Sequence, residues 1–161
     1  LAGVHHSLRD PPPETARLAF PPGSAPKVLL TVDTEEEFDW DAPFRREGWG
    51  LSHVAEIPRF QSFCEELGAH PVYLVDWPIA TDPRSVAIIG EAVARGRADV
   101  GVQLHHWVNP PFDEDVTAFT SFAGNLPPAI EEAKFMALRD RIEEAFGAAP
   151  LIYRAGRYGL G

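Results

Sequence analysis

The chain has 161 residues, is 45% apolar and carries a formal net charge of −10 at pH 7. Those values bound it to one globular domain with a sizeable core, and the acidity argues against nucleic acid or an anionic membrane surface as partner. One cysteine, Cys64, excludes an internal disulfide and a Cys-rich metal knuckle, and no stretch has the length of a membrane span.

Residues 1–26 read as a Pro-rich N-terminal arm, with Pro11-Pro12-Pro13, Pro21-Pro22-Gly23 and Pro26 favouring extended backbone. His5 and His6 lie in this arm and read as solvated surface. The first strand is predicted from Lys27 to Asp33, a short β-branched run. It delivers Asp33, Glu35, Glu36 and Glu37 where it ends. Burying a carboxylate costs several kcal/mol unless it is paired or metal-bound, and ligands in α/β folds gather at the carboxyl ends of strands. Asp33 is therefore a candidate site residue, whereas Glu36 and Glu37 are expected to open a solvated loop. That loop runs to about Ser52 and carries Trp40, Phe44 and Trp49. Its aromatics suit stacking on sugar rings, and equally suit pinning the loop to the body.

A helix follows from about Ile57 to Leu67, with Ile57, Phe60, Cys64 and Leu67 as its apolar face, so Cys64 reads as packing. The second strand is predicted over Pro71 to Val75, and Asp76-Trp77-Pro78 reads as a turn rather than part of a site. Asp82 and Pro83 cap and open the next helix, whose stripe is Val86, Ile89 and Val93. The third strand covers Asp99 to Leu104 and runs into His105-His106-Trp107. A second long loop leads to a helix from about Pro128 to Phe146, facing inward with Phe135, Leu138, Ile142 and Ala145. The fourth strand is Leu151-Ile152-Tyr153, ending in Arg154.

The alternation βαβαβαβ predicts an α/β fold of parallel strands with helical crossovers. The clusters after strands one, three and four then lie on one edge, where Asp33, Glu35, His105, His106 and Arg154 can converge. Alternation along a strand puts Asp33, Glu35, Gln103 and His105 on a common inner face and His106 on the other, as a weaker ligand or a rim acid. Carboxylate plus imidazole suits one divalent metal ion, zinc first, with cobalt, nickel, manganese or iron also compatible. A structural, hydrogen-bonded histidine is the alternative for His105.

Three segments, TVDTEE at Thr31–Glu36, GVQLHHWVNPP at Gly101–Pro111 and YRAGRYG at Tyr153–Gly159, resemble in order and spacing the first three motifs of the polysaccharide deacetylases (the NodB-homology domain). The likeness is to the branch with an extended DTEEEFDW first motif, and it covers residues 27–161. It implies the first part of a distorted (β/α) barrel and an enzyme that removes acetyl groups from N- or O-acetylated sugars or polysaccharide with one divalent metal. By the resemblance Asp33 is the catalytic base and Arg154 its brace. The family's second acid falls on Thr34, so Glu35 is the implied metal ligand. Its paired histidines fall on Gln103 and Trp107, leaving His105 as the implied imidazole ligand. Tyr158 matches a tyrosine whose backbone N–H faces the oxyanion, while Gly156-Arg157 departs from the usual proline-containing form. Gln103, His106, Trp107, Tyr158 and Trp40 are thus supporting or substrate-contacting candidates.

Two further family motifs belong downstream of Gly161, and a further helix is expected there, so a fragment is expected. A non-catalytic glycan-binding relative is the alternative reading, motivated by Gln103, Thr34 and the aromatic loops. A metal hydrolase of another barrel family is a third. The absence of a visible signal peptide favours a cytoplasmic location.

Overall fold

The computed structural model describes residues 11, 13–16 and 19–159. His5, His6 and the segment after Gly159 lie outside the described residues. Four parallel strands form one sheet in the order β1-β2-β3-β4. They are β1 (Leu30–Thr34), β2 (Pro71–Val75), β3 (Asp99–Leu104) and β4 (Tyr153–Ala155). The helices are α1 (Ile57–Glu66), α2 (Trp77–Thr81), α3 (Pro83–Ala94) and α4 (Pro128–Phe146). All five residues of β2 are buried, as a parallel strand covered on both faces requires. One face of β2 and β3, with Tyr73, Val75, Val100, Val102 and Leu104, packs against Ile79, Ile89, Leu138 and Ile142 of the helices.

The sheet curls. In a flat sheet β1 and β4 would stand roughly 14 Å apart, at about 4.8 Å per strand. Yet Arg154 on β4 donates to Asp33 and, at 2.8 Å, to Thr31 Oγ1, both on β1. Gly101 permits the close approach of its neighbours in the sheet, because a Cβ there would stand 2.5 Å from Leu74 Cδ2 and 2.9 Å from the Ile152 carbonyl oxygen. The result is an α/β sheet compatible with part of a βα barrel. Among the described residues, no helix is long and apolar enough to cross a membrane.

Several element boundaries and faces differ from expectation. β1 begins at Leu30, and Val28 and Leu29 are exposed, because the pairing with β2 starts only at Leu30 opposite Pro71. β4 begins at Tyr153, two residues late, and Leu151 is exposed. On α1 the inward residues are Ile57, Gln61 and Cys64, while Phe60 and Leu67 face solvent. Gln61 turns inward because Tyr73 brings a hydroxyl into the core, which donates to Gln61 Oε1 at 2.8 Å. α3 buries Ser85, Ile89 and Ala92; of the expected stripe Ile89 is fully buried, Val93 packs half-buried on the core and Val86 is half-buried. Its N-cap is as expected: Asp82 accepts from the Ser85 N–H at 2.7 Å. α4 buries Lys134, Leu138 and Ile142 at a four-residue spacing, while Phe135 packs half-buried against the core as expected.

Candidate functional site

The site is built where β1 and β3 end. Alternation continues past β1, so Thr34 and Glu36 are buried while Asp33 is exposed. Glu36 Oε1 accepts from the Trp107 indole N–H at 2.9 Å, and Glu36 Oε2 lies 2.8 Å from His105 Nδ1. The other His105 nitrogen, Nε2, is 3.1 Å from Glu35 Oε2. The same Glu35 oxygen accepts from Gln103 Nε2 at 2.9 Å. His105 is therefore a buried ring held at both nitrogens by carboxylates, and it stacks on Trp107 at 4.4 Å.

Asp76 corrects the expectation of a plain turn. It is the N-cap of α2, accepting from the Ile79 N–H at 2.9 Å, and it is wholly buried. Its second oxygen accepts from the Glu36 N–H at 2.8 Å. Glu36 likewise corrects the expectation of a solvated loop acid. Glu36, Asp76 and His105 each bring one ligand atom to within 4.8 Å of the others.

The electrostatics follow from packing acids together without water. Burial opposes charge on His105, but the hydrogen bonds from Glu35 and Glu36 outweigh it and push the imidazole up to about 10. Burial and the neighbouring Glu36 carboxylate push Asp76 well above the usual carboxylate range. Burial opposes charge on Glu36 too, yet Asp76, His105 and Trp107 together bring its carboxyl below its ordinary value. Two buried carboxylates and one imidazole form a hard-to-borderline donor set that calls for added positive charge. A divalent cation would supply that charge. The buried Glu/Asp/His triad can hold a metal ion.

Of the implied ligands, His105 belongs to this triad. Glu35 stands on the far nitrogen of His105, outside it. Asp33 is not among the triad and is ion-paired with Arg154. Gln103 is buried, with its amide oxygen lacking a hydrogen-bond partner. His106 is buried and stands edge-on to Trp107 at 5.3 Å. Burial, with the charges of Lys134 and His105 adding to it, pushes His106 down to about 4, and the ring is fully buried rather than at a rim. Trp40 is 55% exposed and stands edge-on to His105 and Trp107, each at 6.4 Å. Tyr158 is exposed in a left-handed backbone conformation.

Three functional candidates were missed by sequence reasoning: Glu36, Asp76 and Lys134. Asp76 carried the same signal as Asp33, an acid directly after an apolar strand. Glu36 was accessible to a period-of-two count continued past the strand. Lys134 carried no signal. No family model, no curated protein and no solved structure matches the chain.

Proposed function

We propose that the chain is part of a metal-dependent hydrolase of the polysaccharide deacetylase type, removing acetyl groups from N- or O-acetylated sugars. One observation supports the reading: the fold brings Arg154 of β4 onto Asp33 of β1, and the same strand, continued, carries Glu36 into the buried triad with Asp76 and His105. An acid at the rim and a separate buried donor set together suit hydrolysis of an amide or ester. Glu36, Asp76 and His105 would hold the metal, with Glu35 supporting His105 from its other nitrogen. A divalent cation there would polarise an acyl carbonyl and acidify a water molecule. In this reading Asp33, partly open to solvent, takes up a proton. Arg154 fixes the orientation of that carboxylate and favours its ionised form. Trp107 keeps Glu36 and the His105 ring in place by one hydrogen bond and one stacking contact.

A second reading, a glycan-binding relative without catalysis, is favoured by the two carboxylates on His105 and by the exposed indole of Trp40. Elemental analysis and an acetate-release assay on acetylated oligosaccharides test both. Under the hydrolase reading the protein binds about one divalent ion, His105→Ala loses it, and Asp33→Asn keeps it but releases acetate at least roughly 100-fold more slowly. Acetate release undiminished in Asp33→Asn would overturn the assignment. Sugar binding that survives chelator, with no acetate released by the unmodified chain, would establish the second reading.

A further inference from the structure

We infer that Lys134 is a positioning residue for the His105–Trp107 segment, acting from α4 through the backbone of the loop that follows β3. Its ammonium is fully buried. It donates to the carbonyl oxygens of His106 at 2.9 Å, Asn109 at 2.6 Å and Pro111, and pairs with Glu114 Oε1 at 3.1 Å. Every one of these partners lies in residues 106–114.

Burying an ammonium costs several kcal/mol before its partners are counted, so a lysine placed for packing alone would be a poor choice here. What the loop lacks is donors. Pro110 and Pro111 have no N–H, and carbonyl oxygens gathered beneath the loop need hydrogen-bond partners. Lys134 supplies them from a rigid base. It continues the stripe of Leu138 and Ile142, both wholly buried on the same face of α4. The loop answers reciprocally, since Asn109 Nδ2 donates to the Lys134 carbonyl oxygen at 2.9 Å.

The first bond in this set falls on the carbonyl of His106, the residue between His105 and Trp107. Fixing that peptide fixes the direction of both neighbours, and with them the Nδ1–Glu36 and indole–Glu36 bonds. From the other side Arg46 donates to the carbonyl of Glu114 and lies over the Phe112 ring at 4.9 Å. Through the 106–114 loop Lys134 therefore also reaches the loop that carries Trp40 and Phe44.

The inference rests on His105 belonging to the functional site, but its test reads the ring itself, so a protein that binds no metal would not decide it. The readout is nitrogen-15 NMR of the two His105 ring nitrogens, Nδ1 facing Glu36 and Nε2 facing Glu35, in the full chain without added metal. The variants are Lys134→Met and, as a control on the same helix face, Leu138→Ala. A positioning role predicts that Lys134→Met shifts or loses both His105 ring signals, whereas Leu138→Ala lowers stability and leaves them in place. His105 signals unchanged in folded Lys134→Met, or displaced equally by Leu138→Ala, would overturn it. Should Lys134→Met fail to fold, Asn109→Ala removes the reciprocal bond from the loop side. The same loss of the ring signals is then expected, and unchanged signals would overturn the inference.

Discussion

Arg154 and Asp33 meet across two intervening strands, because the guanidinium on β4 reaches over the curled face of β2 and β3 to the carboxylate on β1. A contact of that kind ties the shape of the sheet to the chemistry of its edge. The two side chains are 31% and 33% exposed, so solvent screens the pair and its contribution to stability is small. A double-mutant cycle with Asp33→Asn and Arg154→Met, read by urea unfolding, should give a coupling of no more than about 1 kcal/mol. Under the proposed hydrolase reading, Asp33→Asn should nevertheless slow acetate release by roughly 100-fold or more. A coupling of several kcal/mol would show that the pair is a structural clamp instead.

The His105–Glu36 pair is of the opposite kind, with both side chains out of solvent. Removing one partner strands the other. His105→Ala leaves Glu36 with only Trp107 and an acidic neighbour, and should destabilise the fold by about 3–5 kcal/mol. His105→Gln retains one donor toward Glu36 and should cost less. Equal stability of the two variants by urea unfolding would mean that the ring fills space and the bond contributes little.

Gly156 follows β4 and presses on the same histidine. A Cβ there would stand 2.5 Å from the Leu104 carbonyl oxygen and 2.7 Å from His105 Cδ2. Backbone cannot move aside cheaply, so Gly156→Ala should cost about 1–3 kcal/mol. Gly90, inside α3, offers the contrast. An added methyl group meets only Phe146, at 3.9 Å, and Gly90→Ala should stabilise the helix by roughly 0.5–1 kcal/mol. Thermal unfolding of the two variants should therefore shift in opposite directions.

What the sequence made legible was the order of the elements and the edge on which polar groups gather. β2, β3, α3 and α4 announce themselves through apolar runs, the Asp82-Pro83 start and the helical recurrence of Leu138 and Ile142. The site was legible only in outline. Asp33 and Arg154 come together because parallel strands put their ends on one edge, a consequence of topology. Glu36 and Asp76 carry only local hints, the period of two past β1 and an acid directly after β2, while the indole, imidazole and backbone N–H that meet their carboxylates come from elsewhere in the chain. Gln61 and Lys134 show the same effect in helices. Each sits at a core position because a distant polar group, the Tyr73 hydroxyl or the carbonyls of residues 106–111, needs a partner there.

Glu65 supplies a pH prediction well away from the site. Its carboxylate accepts from Arg95 at 2.8 and 3.1 Å and from Gln61 at 2.9 Å. Arg95 first, then Gln61, hold it down to about 2 from an ordinary value of 4.5. The folded value lies below the unfolded one, so the stabilisation is fully present above about pH 4.5 and is lost as pH falls toward about 2. Because Gln61 also bonds the Tyr73 hydroxyl, protonating Glu65 loosens a connection from the surface of α1 into the core. Glu65→Gln cannot titrate. Its stability, followed by urea unfolding through the acid range, should fall less steeply than that of the unmodified chain and converge with it at the acid end. Parallel curves for the two proteins would mean that this carboxylate has the same affinity for protons folded and unfolded, and that acid unfolding is set by other groups.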